Sequence, residues 1–340
     1  MEGIKLYDIK NEPFKIYGVY FSEEEGIFRR IPDDVASATS DGVKGLAKHT
    51  AGGRVRFKTN SEKLVLKVKN VDGGQMFHAT PSMEYGFDVY RNTDRGYKFL
   101  GTTKPSFANR TDYEAEFNLG AGEKELTIVF PLYGCVKSLE IGLCEAASLE
   151  AHRPYKYEKP VVYYGSSITQ VGCASRPGKA YEDILCRRFD YNYINLGFSG
   201  SAKGEDAICN YMATLDMSAF VSDYDHNSGT AQLRENHYKL YQIIREKHPA
   251  IPYVMVTKPD FKYTDDDFER RSIIMESYIK ARRSGDKNVY FVDGSDFFIG
   301  DESFLDNTAD TCHPTDDGFR RMAEGIGAVI DKVFPWEKMQ

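Results

Sequence analysis

The first half of the chain alternates between apolar and polar residues, which is the pattern of half-buried β-strands. Turns rich in Gly, Asn and Asp separate the alternating segments, and no long helical period interrupts them. Short strands at this spacing predict an antiparallel sandwich in which each sheet buries one face. The predicted strands are Arg54–Asn60, Leu64–Val71, Tyr113–Leu119, Leu126–Phe130 and Leu139–Leu143.

In the second half, short apolar runs alternate with amphipathic helical patterns, which predicts a parallel, doubly wound α/β sheet. Thr264, with Asp267 three residues later, is a capping signature for the fourth helix. The predicted strands are Val161–Tyr164, Tyr193–Leu196, Phe220–Asp223, Tyr253–Val256 and Val289–Val292. The predicted helices are Ala180–Phe189, Gly204–Thr214, Ala231–Lys247, Asp265–Arg283 and Asp316–Val333.

The change of pattern predicts two domains. The segment H-R-P-Y-K-Y-E-K-P at 152–160 carries two prolines and four cations, and we interpret it as a linker. The sandwich is then expected at 1–151 and the α/β domain at 161–340. A chain of 340 residues agrees with this division, because a domain contains roughly 150 residues.

Composition excludes several classes of protein. Apolar residues make up 41% and charged residues 28% of the chain, and the net charge is −7 without a basic patch, which disfavours a nucleic-acid binder. The sequence contains no run of about 18 apolar residues, so no membrane span is predicted. The N-terminus lacks the apolar stretch of a signal peptide. Six cysteines without a C-x-x-C pair are typical of reduced thiols. We therefore expect a cytoplasmic protein, and a homo-oligomer is compatible with the sequence.

Candidate catalytic residues follow the predicted parallel strands, at the edge of the sheet where ligands bind. Ser167 follows the first strand, Gly200 the second and Asn227 the third, while Asp310 and His313 precede the last helix. A serine, a glycine turn, an asparagine and an Asp/His pair at one edge are the groups that nucleophilic acyl transfer requires.

Each of these residues has a predicted role. A serine hydroxyl is a poor nucleophile until a base accepts its proton, so Ser167 is the candidate nucleophile and His313 the candidate base. Asp310 would hold the tautomer of His313 and stabilise its imidazolium. The oxyanion is expected to receive hydrogen bonds from the N–H groups of Ser167 and Gly200 and from the side-chain amide of Asn227.

These segments resemble the motif blocks of the SGNH/GDSL hydrolase family. G-S-S-I-T (165–169), N-L-G-F-S-G (195–200) and D-T-C-H-P-T-D-D-G (310–318) correspond to three blocks, whereas D-Y-D-H-N-S (223–228) departs from the G-x-N-D of the family. The resemblance implies a flavodoxin-like three-layer α/β/α domain with a five-stranded parallel sheet. It also implies a serine esterase that needs no cofactor.

The first half carries a resemblance of its own. G-F-D-V-Y (86–90) is similar to the G-x-D-L-Y signature of a β-domain that precedes some lipase/acylhydrolase-like members of the family. A jelly-roll-like sandwich before an SGNH domain also resembles bacterial carbohydrate esterases that remove acetyl groups. The expected substrate is a small acyl ester, with O-acetyl groups on sugars or oligosaccharides as the first choice.

Several alternatives remain open from the sequence. Asp225 and His226 are two potential metal ligands in one loop, but two ligands without a His or Cys motif do not predict a metal site. Cys312 lies next to the candidate base and is an alternative nucleophile. The chain could instead act on longer acyl chains, like a lipase or thioesterase, or bind carbohydrate without catalysis. Some of the 23 Tyr and 21 Phe residues are candidates for a sugar-stacking surface.

Overall fold

The structure, a computed structural model, describes residues 3–73, 75–106, 108–299 and 304–334, without the side chains of 304 and 305. The chain divides into two compact units, and each is built from separate stretches of sequence. The β unit comprises Met1–Ile31, Gly45–Glu158 and Cys173–Ile194. The α/β unit comprises Pro32–Lys44, Lys159–Gly172 and Asn195–Gln340. The division of the sequence into 1–151, 152–160 and 161–340 stays a prediction.

The first half forms antiparallel sheets. In chain order the strands are β1 (Ile4–Asp8), β2 (Lys15–Tyr17), β3 (Tyr20–Ser22), β4 (Ile27–Arg29), β5 (Arg54–Thr59), β6 (Lys63–Val71), β7 (Asp88–Thr93), β8 (Gly96–Thr102), β9 (Asp112–Asn118), β10 (Lys124–Val129), β11 (Cys135–Cys144) and β12 (Leu149–Glu150). One sheet has four strands in the order β1-β11-β6-β9. A second has the order β12-β5-β10-β7-β8 with β2 also paired to β5, and β3 and β4 form a separate hairpin.

The core of the β unit consists of apolar rows from these strands, although β5 is buried on both faces. Leu64, Leu66 and Val68 of β6 are fully buried, and so are Val55 and Phe57 of β5. Burying one such side chain contributes about 1.5–3 kcal/mol. Because a shift of one residue would turn a whole apolar row to the other face, this pattern fixes the register of the sheets. The predicted antiparallel sandwich is confirmed.

Three short helices were not predicted in the first half. They are α1 (Asp33–Thr39), α2 (Asp41–Leu46) and α3 (Pro81–Tyr85). A helix of five to seven residues spans at most two turns, so its apolar period cannot be distinguished from that of a loop. In α3, the hydroxyl of Thr80 accepts a hydrogen bond from the N–H of Met83 at 3.1 Å and so caps the first turn.

The second half contains a five-stranded sheet. Its strands are β13 (Tyr157–Gly165), β14 (Tyr191–Gly197), β15 (Ala219–Asp223), β16 (Tyr253–Val256) and β17 (Val289–Val292). They lie in the order β14-β13-β15-β16-β17, with the pairs β13–β15, β15–β16 and β16–β17 parallel. This order is the flavodoxin-like one, so the predicted α/β fold is confirmed. The helices are α4 (Tyr181–Phe189), α5 (Asp206–Thr214), α6 (Thr230–Lys247), α7 (Asp265–Arg283) and α8 (Asp316–Val333).

The helix α7 begins with the capping box that the sequence predicts. The predicted capping box is present, since the hydroxyl of Thr264 accepts from the N–H of Asp267 and the carboxylate of Asp267 accepts from the N–H of Thr264. Residues 157–160, which the sequence assigns to the linker, instead begin β13. The proline at 160 and the charges beside it are typical of a linker, so the sequence pattern does not indicate this part of the strand.

Among the described helices, none combines the length and the apolar character that a membrane span requires.

The G-F-D-V-Y segment has a structural role within the β unit. The carboxylate of Asp88, on β7, accepts hydrogen bonds from the side chain of Arg176 and from the N–H of Gly178, the latter at 2.9 Å. The hydroxyl of Tyr90 accepts a second bond from Arg176 at 2.9 Å. A Cβ on Gly178 would lie 2.1 Å from that hydroxyl, so only glycine fits there. The motif therefore anchors the 173–194 stretch of the second half to β7.

Candidate active site

The edge formed by the carboxyl ends of the parallel strands brings three of the predicted residues together. Ser167 lies in the turn after β13, and its Oγ is 2.8 Å from Nε2 of His313. The other ring nitrogen of His313, Nδ1, is 2.7 Å from Oδ2 of Asp310. When Nδ1 donates its proton to the carboxylate, Nε2 is left as the acceptor for the serine hydroxyl. This is the geometry of a nucleophile, a base and an orienting acid.

The turn that carries Asp310 and His313 is held by its own hydrogen bonds. Oδ1 of Asp310 accepts from the N–H of His313 at 2.7 Å and from the N–H of Cys312 at 3.1 Å. Thr311 between them has a φ of 66°, a left-handed conformation that is costly for a β-branched residue. Partial burial opposes ionisation of Asp310, but the hydrogen bonds from His313 outweigh it and lower the pKa of the carboxyl. Asp310 is thus a carboxylate when it faces His313.

Ser166 and Ser167 point in different directions. The hydroxyl of Ser166 is fully buried and accepts a hydrogen bond from the N–H of Ile168 at 3.1 Å, while its own N–H donates to the carbonyl of Asp223. Only Ser167 contacts His313 through its hydroxyl. The helix that was predicted to begin at Ala180 starts at Tyr181 and does not include Ser167. Ser167 lies in a separate tight turn, in which its carbonyl accepts a hydrogen bond from the N–H of Gly172 at 2.8 Å.

Glycines allow the strand ends to approach this turn. A Cβ on Gly197, the last residue of β14, would lie 2.2 Å from the backbone nitrogen of Gln170, and one on Gly165 would lie 1.9 Å from Oγ1 of Thr169. Gly200 is different, because a Cβ there would meet nothing within 4 Å, but its φ is 67°. Gly200 is therefore required for its backbone conformation, whereas Gly197, which the sequence analysis did not single out, is required for space.

The predicted oxyanion donors lie on the turns around Ser167. Asn227 donates its side-chain amide to the carbonyl of Phe198 at 3.0 Å, which ties the loop after β15 to the turn that carries Gly200. Since an amide group has two N–H bonds, one remains for another acceptor. In the described part of the chain, no hydrogen bond uses the backbone N–H of Ser167 or of Gly200. The role of the three donors stays a prediction.

An arginine from α7 fixes the loop after β15. Nη1 of Arg270 donates to the carbonyls of Asp225 and Ser228, the second at 2.7 Å, and Nε of Arg270 donates to Asp266 at 2.6 Å. The loop that departs from the family motif is thus closed by a side chain more than 40 residues further along. No local pattern in the sequence indicates this contact, which is why Arg270 was missed.

His226, beside Asn227, connects two loops. Its Nδ1 lies 4.0 Å from Sγ of Cys312, and its Nε2 lies 3.0 Å from Oδ1 of Asp260 in an ion pair. Burial opposes the charge on His226, but the contacts with Asp260, Cys312 and Asp225 outweigh it and raise its pKa well above the ordinary value. His226, Asp260 and Cys312 each offer one possible metal-ligand atom, and these three atoms lie within 4.8 Å of one another. The 3.0 Å ion pair between His226 and Asp260 accounts for this arrangement without a metal.

Comparison with known proteins decides the family. The family model described as GDSL-like Lipase/Acylhydrolase matches residues 158–331, and the model described as the N-terminus of Esterase_SGNH_hydro-type matches residues 4–149. The chain belongs to the GDSL-like lipase/acylhydrolase family. The resemblance drawn from the sequence is therefore confirmed, and the protein is an esterase-type acylhydrolase of this family. Comparison with curated proteins finds no match.

Solved structures resemble this GDSL-like protein over most of its length. A protein described as a GDSL-like lipase from Bacteroides ovatus is 29% identical, with a TM-score of 0.87 over 97% of this chain and 98% of that one. The salicylyl-acyltransferase SsfX3 of a tetracycline biosynthetic pathway is 20% identical, with a TM-score of 0.79 over 97% and 98%. A family two carbohydrate esterase from Clostridium thermocellum, solved with cellohexaose, is 16% identical, with a TM-score of 0.61 over 83% and 92%. At these identities the last two show the fold alone.

Proposed function

We propose that this acylhydrolase removes small acyl groups from esters, and specifically O-acetyl groups from sugars or oligosaccharides, with Ser167 as the nucleophile. The observation that carries the catalytic part is the pair of contacts made by His313, 2.8 Å to the hydroxyl of Ser167 and 2.7 Å to the carboxylate of Asp310. The carbohydrate part is supported by the fold shared with carbohydrate esterases, among them an acetyl xylan esterase from Butyrivibrio proteoclasticus.

The proposed mechanism has two halves. Nε2 of His313 accepts the proton of Ser167 as Oγ attacks the ester carbonyl, and the oxyanion is stabilised by the N–H groups of Ser167 and Gly200 and the amide of Asn227. As the intermediate collapses and the ester C–O bond breaks, the imidazolium of His313, stabilised by Asp310, donates its proton to the departing sugar oxygen, which leaves as a hydroxyl. In the second half, His313 accepts a proton from water as the water attacks the acyl carbonyl. The bond between the acyl carbon and Oγ of Ser167 then breaks, His313 returns the proton to Oγ, and the acid is released.

The test of the nucleophile compares two adjacent serines. Ser167→Ala is expected to lower kcat by at least about 10³-fold, because residues of such a group act as a unit. Ser166→Ala removes only a buried hydrogen bond to the backbone and is the matched control, so its kcat should fall far less. Hydrolysis of p-nitrophenyl acetate, together with fluorophosphonate labelling, measures both. A larger loss of kcat in Ser166→Ala would show that Ser166, and not Ser167, is the nucleophile.

The test of the substrate compares acyl length and alcohol. Rates on acetylated xylohexaose and on p-nitrophenyl esters of rising chain length are expected to show a preference for acetyl over octanoyl groups and turnover of the acetylated saccharide. A rate that rises with chain length would instead support a lipase-like or thioesterase-like activity. Absence of turnover and of fluorophosphonate labelling would support noncatalytic binding.

A further inference from the structure

The segment after β16 and the first turn of α7 present aromatic side chains to solvent at the edge that carries the candidate active site. Tyr263 is 63% exposed and Phe268 is 50% exposed, although both pack against the buried ring of Phe261. The ring centroids of Phe261 and Tyr263 are 5.2 Å apart, and those of Phe261 and Phe268 are 5.3 Å apart, in edge-to-face contacts. We call Phe261, Tyr263 and Phe268 the aromatic rim.

The aromatic rim is held rigidly. Oδ2 of Asp267 accepts hydrogen bonds from the N–H groups of Lys262 and Thr264, at 2.9 and 3.0 Å, so both neighbours of Tyr263 are fixed by one carboxylate. The other oxygen of Asp267 forms an ion pair with Lys258. Tyr263 itself has a φ of 59°, which costs a residue with a Cβ about 1–2 kcal/mol. The ring that this strained backbone carries is 63% exposed, so it buries little surface in return, and such strain is typical of functional sites.

The aromatic rim is tied to the loop of Asn227. β16 neighbours β15 in the parallel sheet, so the two loops leave the same edge. The N–H of Lys258 donates to Oδ2 of Asp225 at 3.2 Å, and Asp260 forms the ion pair with His226 at 3.0 Å. Asp260 directly precedes Phe261, and His226 directly precedes Asn227. The rings therefore extend the surface on which the ester is proposed to bind.

We propose that the aromatic rim binds the saccharide part of the substrate, beyond the sugar that carries the acyl group; this inference rests on the proposed function. The face of an aromatic ring has a negative electrostatic potential and attracts the C–H groups on one face of a pyranose. Lys262, Asp265 and Asp266, close to Tyr263 in the sequence, are exposed polar residues of the kind that bond sugar hydroxyls, although Asp266 also accepts from Arg270. Consecutive acids at this site disfavour the alternative of an anionic membrane surface.

The experiment measures substrate selectivity in Tyr263→Ala and Phe268→Ala. In each variant, the ratio of KM for acetylated xylohexaose to KM for p-nitrophenyl acetate is expected to rise about tenfold, since the saccharide loses a stacking partner. Tyr20→Ala is the matched control, because Tyr20 is a 41% exposed tyrosine of the β unit, and its ratio should not change. Binding of unacetylated xylohexaose to Ser167→Ala, measured by calorimetry, should weaken to the same extent when Tyr263→Ala is added.

The outcomes separate this inference from the proposed function. If the unmodified protein hydrolyses acetylated xylohexaose and the KM ratio stays within twofold in both rim variants, the aromatic rim does not bind saccharide, while the proposed function stands. If the unmodified protein does not turn over acetylated xylohexaose, the proposed function is wrong. Calorimetry then decides the inference by itself, because xylohexaose binding that is equal with and without Tyr263→Ala overturns it.

Discussion

At the scale of the residue, Asn227 is the site residue whose contacts most need an experiment. Its amide is bonded to the carbonyl of Phe198, so its two N–H bonds would serve two acceptors, the turn and the oxyanion. A donor to the oxyanion bonds the transition state more strongly than the ester carbonyl. Asn227→Ala is therefore expected to lower kcat by about 10²–10³-fold with little change in KM, measured on p-nitrophenyl acetate.

Asn227→Asp is the control for that substitution. It keeps the size and the acceptor oxygen but cannot donate, so it should reproduce the loss of kcat. If both variants instead keep kcat and only unfold at lower urea concentration, the amide serves the turn alone. The oxyanion would then rest on the backbone donors of Ser167 and Gly200.

The residue scale also shows what a sequence can specify about a site. Ser167, Asp310 and His313 were identified because short motifs place each after the element that positions it, and the structure brings the three into hydrogen-bond contact. Arg270 and the pair of His226 with Asp260 were not identified. Their contacts join positions 34 to 45 residues apart, and only the pairing of strands determines which loops meet.

At the scale of the element, the end of β14 lies close to the turn after β13. Gly197 is needed there because a Cβ has no space, whereas Gly200 is needed for its left-handed φ. Gly197→Ala would place a Cβ 2.2 Å from the backbone nitrogen of Gln170. It is expected to cost about 3 kcal/mol or more in the free energy of unfolding, because backbone must move. Urea unfolding measures this loss, and kcat should fall with it since the turn carries Ser167.

Gly200→Ala is the matched control. Its Cβ would meet open space, and the cost is that of a left-handed φ alone, about 1–2 kcal/mol. Equal destabilisation by the two substitutions would mean that the turn can shift away from β14, and that close approach does not hold the site.

The elements themselves were predicted to different degrees. β16, β17, α7 and α8 have the predicted bounds, since each has a strong apolar period between clear breakers. The edge strand β8 was not predicted, because its exposed positions carry no alternation: its residues G-Y-K-F-L-G-T are exposed or half-buried throughout. Strands β2, β3 and β4, with three residues each, are too short to show a period at all.

At the scale of the whole molecule, acid is expected to destabilise the fold through buried histidines. Burial lowers the pKa of His237 to about 4, and burial followed by the charge of Arg56 lowers the pKa of His152 to about 3. Both are neutral in the folded chain, but in the unfolded chain they bind protons below a pH of about 6.5. Stability is therefore full above that pH and falls progressively as the pH decreases towards the folded-state values.

The measurement is urea unfolding between pH 7 and pH 5, where each histidine should contribute a loss on the order of 2 kcal/mol. His237→Phe keeps a ring against Tyr224, on which His237 stacks at 5.7 Å, and removes one titrating group. This variant should lose less stability over the same pH range than the unmodified protein. An identical pH dependence in the two would show that His237 takes no part.

The anchoring of the 173–194 stretch by Asp88 and Tyr90 has a consequence for how such proteins can evolve. The chain passes from one compact unit to the other repeatedly, and helix α4, encoded in the second half, is assigned to the β unit. A recombination event that joined residues 161–340 to a foreign partner would leave Arg176 and Gly178 without the side chains that receive them. We therefore expect the two halves to be exchanged between genes only together, because Asp88 and Tyr90 of the first half hold a stretch that the second half encodes.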